Sequence, residues 1–143
     1  MGISKASAQW EGGLKTGKGT MTPAHGQGVT FTAGSRFEGQ PQSNPEELLG
    51  AAFAGCFSMA LTVALEKQGL APKSVKTTAD VRLEQQGGGF TITGIALKTE
   101  VSAAGIDAAK LKTIADETKK GCPVGKALAG VNEVTLEAIL APS

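Results

Sequence analysis

Apolar and polar positions along this chain change period several times, and each change predicts an element. Val29, Phe31 and Ala33 alternate with Thr30, Thr32 and Gly34, the spacing of a strand with one packed face. Trp10 to about Thr22 and Val29 to Arg36 are therefore predicted as strands joined by a glycine-rich turn, with Arg36 at a strand end. From Ser43 the pattern switches. Glu46 and Glu47 are followed by 18 uncharged residues, Leu48 to Leu65. Asn44 suits an N-cap, Pro45 the first helical position, and the two carboxylates the first turn, where the helix dipole favours anions. Glu47, three residues after the cap, takes the capping-box position and leaves Glu46 free. Gly69 and Pro72 end the helix. With no polar stripe, this helix is predicted to be buried on every side, inside a domain or between two subunits. Its length just reaches that of a membrane span, but its alanines, its glycines, Ser58 and Thr62 make it weakly hydrophobic, and no membrane association is expected.

Further on, Val75, Thr77, Ala79, Val81 and Leu83 alternate with Lys76, Asp80, Arg82 and Glu84, a strand with one wet face. Gly87-Gly88-Gly89 turns it back into a second strand, Phe90 to Val101. There the apolar parity slips from Phe90 and Ile92 to Ile95, Leu97 and Val101, which predicts a β-bulge at Gly94. Asp107 caps a helix carrying Leu111, Ile114, Ala115 and Thr118 at helical spacing, and Gly121 closes it. Pro123 opens a short helix, and Val134, Leu136, Ala138 and Leu140 alternate as a last strand. The order βββ, α, ββ, αα, β describes an α+β fold with mostly antiparallel sheet, expected as a single domain over residues 1–143.

Charge and composition exclude more than they assign. A net charge of +1 over 143 residues gives no phosphate-tracking face, so nucleic acid is not an expected partner. The start of the chain lacks the basic and apolar regions of a secretory signal, which predicts a cytoplasmic protein. His25 is the one histidine and has no ligand partners at metal spacing, so no metal is expected. Gly26-Gln27-Gly28 lacks the strand-to-helix context of a nucleotide loop and reads as a turn.

What remains is sulfur. Cys56 sits in the apolar helix and Cys122 in G-C-P-V-G-K-A-L. A reactive thiol needs a cation, a helix N-terminus or a hydrogen-bond donor to ionise near neutral pH. By local sequence Cys122 is the better thiolate, as N-cap before Pro123 and near Lys119, Lys120 and Lys126. Cys56, among Ala, Phe and Met, would be hindered by desolvation unless a cation reaches it from elsewhere in the fold. On its own it reads as packing.

Several motifs in order change that balance: R-F-E-G at Arg36 to Gly39, N-P-E-E-L-L-G-A-A-F-A-G-C-F-S-M-A-L at Asn44 to Leu61, T-T-A-D-V at Thr77 to Val81, G-I-D at Gly105 to Asp107 and G-C-P-V at Gly121 to Val124. From about Trp10 to Leu136 the chain resembles the OsmC branch of the OsmC/Ohr family of hydroperoxide reductases. The resemblance implies an OsmC-like α+β fold with a long buried central helix in an intertwined homodimer. It also implies that Cys56 is the peroxidatic thiol, Cys122 the resolving thiol, Arg36 the activating cation and Glu46 the carboxylate that orients it. Organic hydroperoxides would be the substrates, hydrogen peroxide a poorer one, and an external thiol or dithiol the reductant, with no cofactor, in defence against oxidative or osmotic stress. The chain departs from the pattern at Gly125, where relatives commonly carry Ser.

Two expectations concern geometry. Glu46 and Cys56 are ten residues apart, about 15 Å along a straight helix, so they cannot meet within one helix. Two antiparallel copies could bring Glu46 of one beside Cys56 of the other, with each site drawing on both subunits. Leu48, Leu49, Phe53, Phe57 and Met59 are expected to line an apolar pocket suited to alkyl hydroperoxides. The competing readings are a non-catalytic dimer that binds a small apolar ligand, with Cys56 as packing, and a redox sensor that passes its oxidation to a partner.

Overall fold

The computed structural model describes residues 2–142, and the chain divides between Leu48 and Leu49 into two compact units. In the first, β1 (Ala6–Glu11), β2 (Lys18–Pro23) and β3 (Val29–Phe31) form an antiparallel sheet in that order. Trp10 and Phe31 pack their rings on it, 5.4 Å between centroids and tilted by 54°.

The chain then departs from the strand predicted to run to Arg36. Residues Ala33–Phe37 form a short helix, α1. Thr32 accepts a hydrogen bond from the Ser35 amide at 3.0 Å, and Ser35 Oγ accepts one from the Thr32 amide at 2.9 Å. This reciprocal capping box ends the strand one residue after Phe31. Over so few residues, local side-chain bonds outweigh an alternation of small apolar groups.

The long helix, α2 (Pro45–Lys67), begins and ends as its sequence predicts. The Glu47 amide donates to Asn44 Oδ1 at 2.8 Å. The Glu47 carboxylate, expected to complete a capping box on Asn44, instead accepts from Ser43 Oγ at 3.0 Å. At the far end Leu70 and Gly69 donate their amides to the carbonyls of Leu65 and Glu66, at 3.1 and 2.9 Å, which is a Schellman closure.

Within a single chain α2 is buried along one face. Phe53, Phe57, Leu61 and Leu65 form one fully buried stripe, whereas Ala51, Ala52, Gly55, Met59 and Val63 are exposed. Successive i, i+4 positions line one face of a helix, and a single chain covers only that face. The helix is long and apolar enough to cross a membrane, but this buried stripe is that of a core helix. The expected pocket lining also divides. Phe53 and Phe57 are core, while Met59, 200° around the helix from Phe57, is 74% exposed.

In the second unit the α2 stripe packs with β4 (Ser74–Gln86), β5 (Gly89–Ser102), β6 (Glu133–Leu140) and α3 (Ala108–Gly121). The sheet order is β4-β5-β6, with β4 and β5 antiparallel and β6 parallel to β5. Gly87 and Gly88 form the two-residue turn at φ of +55° and +82°, the left-handed pair that a tight hairpin requires. Pairing slips between Arg82 and Leu83: Arg82 faces Gly94 and Leu83 faces Ile92, leaving Thr93 over. The bulge predicted at Gly94 is therefore present, and it carries Ile95, Leu97 and Val101 onto the buried face. A chain of hydroxyls crosses this core, with Ser58 donating to Thr77 at 2.7 Å and Thr77 paired to the fully buried Thr99 at 2.9 Å. Each polar group there has a partner, as burial demands.

Candidate active site

Two constellations collect the residues singled out by the sequence. In the first unit Arg36 closes on Glu46. Arg36 Nη2 donates to Glu46 Oε1 at 2.7 Å, and Nε donates to Oε1 and Oε2 at 3.1 and 3.3 Å. The glutamate is buried while the arginine keeps about a third of its side chain exposed, 36%. A forked guanidinium–carboxylate contact of this kind fixes the plane of the cation. Arg36 also lies 5.4 Å from the centre of the Phe37 ring.

The placement follows from α1. Ser35 is buried, its hydroxyl donates to the Ser43 carbonyl at 2.6 Å, and Asn44 Nδ2 donates to the Ser35 carbonyl at 3.1 Å. These bonds pin α1 against the start of α2, so the residue after Ser35 meets the second residue of α2. Sequence reasoning missed Ser35 and Thr32. Their signal is the Thr-x-x-Ser spacing just after a strand.

In the second unit the two sulfurs meet. Cys122 Sγ donates to Cys56 Sγ at 3.1 Å across 66 residues of chain, and both cysteines are free thiols. Cys56 lies on α2 one residue before Phe57 and is partly exposed. Cys122 is 0% exposed and belongs to the core. It is both the C-cap of α3 and the N-cap of α4 (Pro123–Ala127), and its side chain makes no cap hydrogen bond.

The expectation that Cys122 is the better thiolate is overturned. Burial pushes its thiol above the ordinary range; the Gly125 amide opposes this, the Cys56 sulfur reinforces it, and the Val124 amide opposes it. Two of the three lysines near it in sequence are engaged elsewhere: Lys119 donates to the Val134 carbonyl at 3.0 Å and Lys120 to Glu117 at 3.1 Å. The structure thus brings the two cysteines into contact, one enclosed and one partly exposed. Among the described residues, no group of three or more His, Cys, Asp or Glu side chains could hold a metal.

Residues 38–137 match the family model described as OsmC-like protein. The chain is 47% identical to peroxiredoxin OsmC of Escherichia coli (strain K12) over 135 residues, 93% of each chain. The crystal structure of the organic hydroperoxide resistance protein OhrB of Bacillus subtilis superposes with a TM-score of 0.67 at 25% identity, covering 96% of this chain and 98% of that one. An OsmC-like protein of unknown function from Vibrio cholerae shares the fold, with a TM-score of 0.76 at 18% identity over 97% of this chain and 100% of its own.

Proposed function

The chain belongs to the OsmC-like protein family, and we propose that it reduces organic hydroperoxides through a sulfenic acid on Cys56 and an intramolecular Cys56–Cys122 disulfide. It is a peroxidase, and the observation that carries the route is the 3.1 Å contact between Cys56 Sγ and Cys122 Sγ. The thiolate of Cys56 attacks the terminal peroxide oxygen. The O–O bond breaks, the alkoxide leaves and takes a proton to become the alcohol, and sulfenic acid remains. Cys122 then attacks the Cys56 sulfur, hydroxide leaves as water, and the disulfide forms. An external thiol or dithiol restores both cysteines. The two sulfurs supply all of this redox chemistry.

Arg36 acts as the cation that holds the thiolate and the charge developing on the leaving oxygen, and Glu46 as the carboxylate that aims it. Support comes from the forked ion pair with Glu46 buried at 6% exposure. We assign these roles within a homodimer in which the Arg36–Glu46 pair of one protomer serves Cys56 of its partner. The dimer is supported by the second face of α2, where Ala52, Gly55, Met59 and Val63 recur at helical spacing, apolar and exposed. A soluble cytoplasmic enzyme acting in oxidative or osmotic stress, with its whole length working as one domain, fits this reading.

The test is mass spectrometry after one equivalent of an organic hydroperoxide. Loss of two hydrogens with a peptide bridged between Cys56 and Cys122 is the expected result. An unchanged mass with recovered hydroperoxide would overturn the reading in favour of a dimer that only binds a small apolar ligand.

A further inference from the structure

The two sulfurs that form the bridge are not equivalent toward solvent: Cys56 is partly exposed and Cys122 is wholly enclosed. We propose that the reducing dithiol reopens the bridge by attacking Cys56, so that the mixed disulfide forms on Cys56 and Cys122 is the sulfur that leaves. This inference rests on the disulfide route above and adds the direction of its last step.

Access decides the direction. Thiol–disulfide exchange proceeds by attack on one particular sulfur, along the S–S axis and from the side away from the sulfur that leaves. Cys122 is enclosed in the same core as Phe53, Phe57, Leu111 and Ala115, each at most 1% exposed. An attacker could reach its far side only after part of that core opened. Cys56 is partly exposed in the single chain, and the sulfur that a hydroperoxide must reach in the assembled enzyme is open to the reductant by the same path, without any such opening.

One effect runs the other way. Burial makes Cys122 the poorer leaving thiolate, and the amides of Gly125 and Val124 offset this only in part. A thiol of higher pKa leaves more slowly, which lowers the rate of this path but does not close it. Blocked access removes the path altogether unless the core opens. Access therefore outweighs leaving ability.

The step balances. The first thiolate of the reductant bonds to Cys56 Sγ as the Sγ–Sγ bond breaks, and the electron pair stays on Cys122, which takes a proton from water. The second thiol of the reductant gives up its proton and attacks the reductant's own sulfur in the mixed disulfide. That closes the reductant's internal disulfide and frees Cys56. Two electrons and two protons pass from the dithiol to the two cysteines.

The experiment uses the intact chain with its bridge formed by diamide, so that no peroxide is needed. It is exposed briefly to glutathione, quenched in acid, alkylated in denaturant and mapped by peptide mass spectrometry. Glutathione on Cys56 with the alkyl group on Cys122 is expected in roughly tenfold excess or more over the reverse pattern. Comparable amounts, or glutathione mainly on Cys122, overturn the proposal. If Cys122 returns onto Cys56 faster than the quench, a second measurement decides. Cys122→Ser and Cys56→Ser are each loaded with a glutathione mixed disulfide and treated with dithiothreitol. Release at least about tenfold faster from Cys56 is expected, and equal or reversed rates overturn the proposal. A chain inactive on hydroperoxide that still takes its adduct on Cys56 defeats the functional reading alone. An active one that takes it on Cys122 defeats this inference alone.

Discussion

Gly125 lies directly against the ring of Phe53: a Cβ built on it would stand 3.1 Å from Cε1 and 3.3 Å from Cζ. Phe53 is 1% exposed and held in the core, so the ring has little room to yield. Replacing Gly125 with Ala gains about 0.4–1 kcal/mol by restricting the unfolded chain but costs about 1–3 kcal/mol in overpacking. A net loss of about 1 kcal/mol is expected from urea unfolding. Because Gly125 follows Cys122 by one turn of α4, disulfide formation should slow as well. Adding Phe53→Leu to Gly125→Ala should recover part of both losses; strictly additive effects would show that the ring contact is not the cause.

Removing the cation tests the first constellation. Arg36→Ala should lower kcat/KM for an organic hydroperoxide by about 10²–10³, the usual effect of deleting one preorganised donor to a developing oxyanion. It also leaves the Glu46 carboxylate buried without its partner, at a cost of about 1–3 kcal/mol, with the lower end expected because Arg36 is itself about a third exposed. Arg36→Lys keeps the charge but loses the fork, and should fall between the two. A full rate with Arg36→Ala in steady-state assays would move the activating role to another residue.

The raised Cys122 thiol sets a pH dependence for the second chemical step. Burial keeps the proton on Cys122 through neutral pH, so its thiolate fraction grows about tenfold per unit until the raised pKa is passed. The rate of disulfide formation, followed by stopped flow after a peroxide pulse, should climb at nearly that slope past the ordinary thiol value of about 8.5. Flattening at or below that value would contradict a buried resolving thiol.

Arg82 ties the bulge to the neighbouring strand. Its Nε donates to Glu84 at 2.7 Å and to Thr93 at 2.9 Å, and its Nη2 lies 3.5 Å from Glu133 on β6. The guanidinium lies so close to Gly94 that a Cβ there would stand 2.7 Å from Nη2. Gly94→Ala should therefore push the arginine off and reproduce Arg82→Ala, each costing up to about 1 kcal/mol because the pairs are exposed. In a double-mutant cycle the two effects should overlap rather than add. Additivity would show that Gly94 acts independently of the arginine.

How far the sequence carried these findings depended on whether the deciding interactions were local. The caps at Asn44 and Asp107 and the bulge beside Gly94 were legible, because residues a few positions apart determine them. The helix at Ala33–Phe37 was not, since five residues do not distinguish a strand period from a helix turn and the deciding bonds are those between Thr32 and Ser35. The Arg36–Glu46 pair was available only through family resemblance. The lysines around Cys122 misled because neighbours in sequence on a helix end point in different directions: Lys119 and Lys120 reach Val134 and Glu117 while Cys122 turns into the core. The contact of two sulfurs 66 residues apart had no local signal.

Met59 gives the decisive test of assembly. It stands 74% exposed on the unburied face of α2, in line with Ala52, Gly55 and Val63. In a lone chain, Met59→Lys exchanges an exposed apolar side chain for an exposed charged one and should cost less than about 0.5 kcal/mol of folding stability. If this face packs against the same helix of a second copy, the lysine would be buried opposite apolar side chains, and burying an unpaired charge is strongly unfavourable. Light scattering should then show Met59→Lys as a monomer with an intact far-ultraviolet spectrum, while the parent remains a dimer. Peroxidase activity should fall with dimer content, because Arg36 and Glu46 of one protomer are assigned to Cys56 of its partner. A monomeric variant that keeps the parent's kcat would refute the shared site, and a dimeric variant would show that the two copies meet through another face.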